Sequence, residues 1–148
     1  GFANQPTSVD ADDGLELSDL YVTAAVKCAP PDNKPTIEER DHCQPFLLDE
    51  LQALESVRVI LCLGLFGWEQ ALRGLAAMGQ PIPRPKPRFG HGAEVQVGPY
   101  ILIGSYHPSQ HNTFTGRLTE AMLDDVLERA KVRLGEGRQG DARAAGAR

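Results

Sequence analysis

Val57-Arg58-Val59-Ile60-Leu61-Cys62-Leu63-Gly64 is a short run of apolar, β-branched-rich residues closed by a glycine. Its brevity and its near-continuous apolar character suit a strand covered on both faces, as in a parallel sheet. Tyr100 to Tyr106 (Tyr-Ile-Leu-Ile-Gly-Ser-Tyr) has the same character, and so has Tyr21 to Lys27 (Tyr-Val-Thr-Ala-Ala-Val-Lys). Between and beyond these three strands the chain reads as helices. Thr36-Ile37-Glu38-Glu39 is a capping box, in which the threonine hydroxyl and the glutamate each take a free backbone N–H. The helix it opens carries Cys43, Leu47, Leu51 and Leu54 on one face, and Pro45 should kink or split it. Phe66 to Met78 is a second helix with Trp68, Leu72, Leu75 and Ala76 on one side. Leu118 to Leu134 is a third, built on Met122, Val126, Ala130 and Leu134. Glu94 to Val97 alternates and turns at Gly98-Pro99.

Strands alternating with helices predict an α/β fold: a three-layer α/β/α sandwich around a central, mostly parallel sheet. In such sheets the working loops follow the C-terminal ends of the strands. That rule singles out loops 28–35 and 107–117, which are also the least ordinary stretches of the chain.

Composition narrows the class further. The 148 residues suffice for one domain with a hydrophobic core, expected over residues 1–134. The Gly/Ala/Arg-rich stretch 135–148 is expected to be a disordered tail. No apolar run approaches the roughly 18–20 residues of a membrane helix, and no basic segment followed by an apolar one opens the chain. It begins at Gly1-Phe2-Ala3 without a methionine, as a fragment would. Three cysteines, an odd number, argue for a reducing cytoplasm over a disulfide framework. The net charge of −5 does not suggest nucleic acid. Its distribution says more, although a solvated loop would read the same: residues 1–26 hold five acids and no Lys or Arg, whereas 81–92 hold Arg84, Lys86 and Arg88 and no acid. Such asymmetry can focus a positive potential on one face of an acidic protein.

Two motifs carry the chemistry. The first is Lys27-Cys28-Ala29-Pro30-Pro31-Asp32-Asn33-Lys34-Pro35, with Cys43 following in the helix. Fourteen residues lie between the cysteines. That is no zinc spacing, where paired ligands usually sit two to four residues apart; the pair is either half of a four-cysteine site or two packed thiols. Cys62 lies mid-strand and reads as core. The second motif is Ser105-Tyr106-His107-Pro108-Ser109-Gln110-His111-Asn112-Thr113, continuing to Gly116-Arg117-Leu118-Thr119. A histidine directly after a buried strand is held by a rigid element, and Pro108 restricts its backbone to extended conformations. Ser109, Asn112 and Thr113 offer short hydrogen bonds suited to phosphate. A serine hydrolase is disfavoured, because no Gly-x-Ser-x-Gly elbow accompanies His107 and Ser109.

These two stretches together resemble family 5 of the uracil-DNA glycosylase superfamily, over about Gly1 to Leu134. In the related family 4 an asparagine follows the strand threonine, whereas here that position is Ala24 and Asn33 comes later. The resemblance implies a DNA-repair enzyme that flips a deaminated base, uracil or a purine such as hypoxanthine, out of double- or single-stranded DNA. It implies that His107 donates to the leaving base as it becomes anionic and that Asn33 reads the base edge or positions water. Ser109, Asn112 and Thr113 would grip phosphates, Arg117-Leu118 would lie near the duplex, and Lys34 joins the DNA-binding set. Cys28 and Cys43 match two of four ligands of a [4Fe–4S] cluster. The resemblance further implies an N-terminal segment, absent from this sequence, with two more cysteines and a water-activating aspartate. The expected protein is a monomer in the cytoplasm, associated with the nucleoid. A non-catalytic DNA- or cluster-binding module on the same scaffold is the alternative.

Overall fold

The structure is a computed structural model and describes residues 1–28, 30 and 34–145, with side chains as far as Glu136. Its elements are α1 (Ile37–Ala53), β1 (Val59–Leu63), α2 (Gly64–Ala77), β2 (Glu94–Val97), β3 (Tyr100–Ser105), α3 (Gln110–Phe114) and α4 (Glu120–Ala145). The sheet has the order β1-β3-β2. β1 and β3 run parallel, Val59 opposite Ile101 and Leu63 opposite Ser105. β2 and β3 form an antiparallel hairpin around Gly98-Pro99, so the sheet is mixed.

The period of two along β3 sends neighbouring residues to opposite faces. Leu102 packs with Cys62, Trp68, Leu72, Leu75 and Val97 under α2, and Ile103 packs with Val126 and Ala130 under α4. Leu102, Ile103, Leu75, Val97 and Val126 have no exposed surface at all. Two cores on the two faces of one sheet make the three layers predicted from the alternating pattern. Burying one such aliphatic side chain is worth about 1.5–3 kcal/mol, and β3 contributes to both cores at once.

α1 begins where the sequence predicts, whereas α2 starts at Gly64, two residues before Phe66, α4 starts at Glu120, two after Leu118, and the short α3 lies in a stretch expected to be loop. Thr36 caps α1: its hydroxyl accepts the Glu39 N–H and its own N–H donates to the Glu39 carboxylate at 2.8 Å. Pro45 does not split α1, which runs unbroken over 17 residues. One missing N–H on an exposed stretch leaves a carbonyl that water can satisfy. Ala76 is exposed, not part of the α2 core face. The backbone of α4 continues as helix to Ala145, past Leu134 where the sequence reading ends it and starts a tail.

Tyr21–Lys27 departs most from expectation. It is not a strand, and Tyr21 and Val22 are 55% and 69% exposed. Strands exist by pairing, and no ladder partner lies beside it among the described residues. Polar side chains fix it to α1 instead: the Tyr21 and Thr23 hydroxyls and the Lys27 ammonium all donate to the Glu50 carboxylate. The first residues close on themselves through the Ala3–Leu17 bridge.

Candidate functional site

β1 and β3 end side by side, and the site is built at that end. His107 lies two residues beyond β3 and is exposed. It sits over Gly64, the first residue of α2, which has φ +90 and where an added Cβ would come within 3.3 Å of the His107 Cβ. A side chain at position 64 would therefore be strained in the backbone and crowded against the imidazole. α2 has no side-chain N-cap, so the positive end of its dipole opens beneath His107. Such an end favours negative charge arriving above it.

The loop after His107 is closed by its own polar side chains. The Ser109 N–H donates to the His107 carbonyl at 2.8 Å, and the Asn112 side-chain amide donates to the same oxygen at 2.9 Å. The Ser109 hydroxyl caps α3 by accepting the Asn112 N–H. The Thr113 hydroxyl donates to the Ser109 and Gln110 carbonyls. The Leu118 N–H donates to the Asn112 carbonyl. Ser109, Asn112 and Thr113 thus build the loop that holds His107; of the three, Ser109 keeps its hydroxyl proton for an external acceptor.

From the other side, segment 89–93 clamps the end of β3. An added Cβ at Gly104 would collide with the Gly90 carbonyl oxygen. That close approach lets the Gly92 N–H donate to the Gly104 carbonyl at 2.7 Å and the Gly104 N–H donate to Ala93 at 2.8 Å. The Tyr106 N–H, next to His107, donates to Nδ1 of His91 at 3.2 Å. The His91 and Tyr106 rings lie 5.1 Å apart, and the Arg117 guanidinium covers the Tyr106 ring at 4.8 Å. Trp68 ties the basic loop in place by donating to the Pro87 carbonyl.

Sequence reasoning missed His91, Gly64 and Gly104. A glycine inside a strand pattern is a signal of close backbone approach, and Gly90-His91-Gly92 is its counterpart in the loop. The loop's exposed apolar residue is Phe114, 84% exposed, whereas Leu118 is buried at 3%. Of the predicted DNA-binding residues, Lys34 and Arg117 are exposed, as are Arg84, Lys86 and Arg88. Asn33 lies outside the described residues.

Cys28 and Cys43 meet: their sulfurs are 4.0 Å apart and both thiols are free. That is far beyond the roughly 2.05 Å of a disulfide. The Lys27 backbone N–H donates to the Cys43 sulfur at 3.4 Å and lowers that thiol's pKa, against the effect of burial. Burial and the neighbouring Cys43 raise Cys28. Cys62 stands apart in the core, its thiol pushed up to about 12 by burial. Among the described residues no group of three or more His, Cys, Asp and Glu side chains gathers for a metal. Two free thiols in contact, one of them with its pKa lowered, fit half of a four-cysteine cluster site.

The layered α/β frame with a histidine loop at the paired strand ends is that of a known class: the chain matches the Uracil DNA glycosylase superfamily over residues 1–131, and it belongs to that superfamily. It is similar to the type-5 uracil-DNA glycosylase of Mycobacterium bovis, 50% identical over 133 residues that cover 88% of this chain and 48% of that protein. It is 48% identical over 135 residues to the type-5 uracil-DNA glycosylase of Mycobacterium leprae, covering 88% of this chain and 56% of that protein. It is 42% identical over 135 residues to the type-5 uracil-DNA glycosylase of Pyrobaculum aerophilum, covering 91% and 56%. The chain spans about half the length of these curated relatives. No helix among the described residues is long and apolar enough to cross a membrane.

Proposed function

We propose that this chain supplies the base-releasing side of a DNA glycosylase that hydrolyses the N-glycosidic bond of uracil and other deaminated bases in DNA. The observation that carries this reading is the setting of His107. Its backbone carbonyl is held by two donors, its Cβ rests on Gly64, and an uncapped helix end opens below it.

In the reaction the C1′–N bond breaks, water adds to C1′, and the base leaves with the bonding pair and then takes a proton. His107 donates a hydrogen bond to the base oxygen where that negative charge collects. The α2 N-terminus stabilises the same charge at longer range. Both groups act on charge that exists only as the bond breaks, so they speed chemistry more than they strengthen binding. Asn33 contributes an amide, a donor and an acceptor together, to the base edge. Phosphates flanking the flipped nucleotide meet Lys34, Arg117 and the free hydroxyl proton of Ser109, with Asn112 and Thr113 keeping the loop in shape. Activation of the water needs a further group, beyond these residues.

Cys28 and Cys43 would hold a [4Fe–4S] cluster together with two ligands from outside the described residues. Held by Cys28 and Cys43, such a cluster would tie the residue after Lys27 to α1. The protein acts as a monomer on double- or single-stranded DNA in the cytoplasm, at the nucleoid.

The test is incubation of the intact protein with duplexes carrying one uracil or one hypoxanthine, followed by alkaline cleavage at abasic sites. Strand scission at the lesion is the expected result; intact strands with both lesions would overturn the reading.

A further inference from the structure

One cavity lies outside the glycosylase reading altogether. A cleft of about 360 Å³ lies between the first turn of α1, the middle of α2 and the loop 79–92. That is within the roughly 300–1,000 Å³ of small-ligand sites. Gln70 lines it and is only 7% exposed. Its amide makes no hydrogen bond to any described residue, and none of the fully enclosed polar atoms lacks a partner, so the amide keeps some accessible surface on a residue that lines the cleft. Buried amides are normally bonded within the protein. One that is not, and that faces a cavity, is set to bond a ligand through both its donor and its acceptor.

The charges around Gln70 come from three separate elements. Arg40 and Arg73 both hold the Asp41 carboxylate, at 2.8 and 2.5 Å, which fixes two guanidiniums while occupying only Nη1 of Arg73. Lys86 and Glu69 line the cleft with no ionic partner among the described residues. Cations, an amide and a carboxylate together match a ligand that carries phosphate oxygens and N–H donors at once. Inorganic phosphate would leave Gln70 and Glu69 unused. Gln70 is six residues along α2 from Gly64, about 9 Å along the helix axis, so the cleft is separate from the His107 site.

We infer that the cleft binds one nucleotide unit, its phosphate on Lys86 and Arg73 and a base bearing an exocyclic amine against Gln70 and Glu69. Uracil has no such amine, so this is a contact for an undamaged neighbour, not for the excised base. The inference rests on the reading above for DNA as the partner.

Titration calorimetry of the intact protein with deoxycytidine monophosphate, and separately with inorganic phosphate, tests it. The nucleotide should bind more tightly than phosphate. Gln70→Met, which keeps volume and removes the amide, should weaken the nucleotide about three- to tenfold, the worth of one neutral hydrogen bond. It should leave phosphate binding unchanged and the melting temperature equal or higher. Lys86→Ala should weaken both ligands. His107→Ala should change neither, while slowing uracil excision by on the order of 10²–10³ if that reading holds. Nucleotide binding that is insensitive to Gln70→Met, no tighter than phosphate, or lost in His107→Ala would overturn the inference. Absence of uracil excision with the calorimetric pattern intact would sink only the glycosylase reading.

Discussion

Tyr21–Lys27 and Tyr100–Tyr106 are close counterparts as sequence and opposites as structure. Each is a seven-residue apolar run, each leads into a loop of unusual composition, and each precedes a predicted site residue, Cys28 in one case and His107 in the other. Tyr100–Ser105 is β3, paired on both edges and buried on both faces. Tyr21–Lys27 has no ladder partner among the described residues and is held by the Glu50 carboxylate and, at its end, by the Lys27 N–H on the Cys43 sulfur. The difference teaches that an apolar, β-branched run states a capacity for pairing, and that the neighbour decides whether it is used. It also separates two ways of holding a functional residue. His107 is fixed by a sheet, a clamp and a self-bonded loop. Cys28 is fixed by surface polar contacts and by the sulfur beside it.

If the β3 end is the rigid support for chemistry, His107→Ala should cause the largest change in the molecule. Losing one donor to a developing anion costs on the order of 10²–10³ in rate. Single-turnover excision by the intact protein at saturating DNA reads this, with DNA affinity nearly unchanged. A near-normal rate with a lowered melting temperature would make His107 a packing residue.

Gly104→Ala strikes the clamp. The new methyl meets the Gly90 carbonyl and, at 3.4 Å, the Phe89 ring. The Gly92–Gly104 and Gly104–Ala93 hydrogen bonds must lengthen to admit it. Overpacking of this kind costs about 1–3 kcal/mol, measurable as a lower urea midpoint. No site in Tyr21–Lys27 should respond as strongly to one added methyl, because that segment is exposed except for the half-buried Ala25 and Val26.

His91 sharpens the comparison at a single hydrogen bond. His91→Phe keeps a ring against Tyr106 but removes the acceptor for the Tyr106 N–H. A half-buried donor left unpaired costs about 1 kcal/mol. The excision rate should fall severalfold, and His91→Asn, which restores an acceptor near the same place, should recover it. Equal loss in both variants would show that the ring and not the bond matters.

These contrasts follow how the molecule is written. The β-α-β core was legible because its pattern is carried by large residues: Val59 to Leu63, Trp68, Leu72 and Leu75, and Ile101 to Ile103 behave as periodicity requires. The cap at Thr36 was legible because capping is local chemistry. The fate of Tyr21–Lys27 was not, because pairing is decided by residues distant in sequence. The clamp on β3 was not, because its contacts are backbone to backbone and its residues are glycines, whose message is only that something comes close. Within the motif after His107, residue types alone suggested phosphate contacts for Ser109, Asn112 and Thr113. Their first use is to close the loop on itself, a role that spacing cannot distinguish from the other.

The smallest expected effect belongs to the weaker of the two supports. Glu50 has its pKa lowered from 4.5, first by the Lys27 ammonium at 2.7 Å and then by the Thr23 hydroxyl at 2.6 Å. A carboxylate whose folded pKa lies below its unfolded one adds stability above the unfolded value. That stability is lost as pH falls through the folded value. The pair is about a quarter to a third exposed, 31% for Lys27 and 26% for Glu50, so solvent screens it and its worth is about 0.2–1 kcal/mol. Glu50→Gln should therefore lower stability by no more than that at pH 7. The gap between variant and parent should close as pH falls below 4.5, and added salt should narrow it at neutral pH. Amide exchange gives the local reading: residues 21–27 should exchange faster in the variant, while 100–105 keep their protection, since β3 draws nothing from Glu50. Faster exchange in both segments would mean that the polar tether and the sheet form one cooperative unit, and the contrast between them would fail.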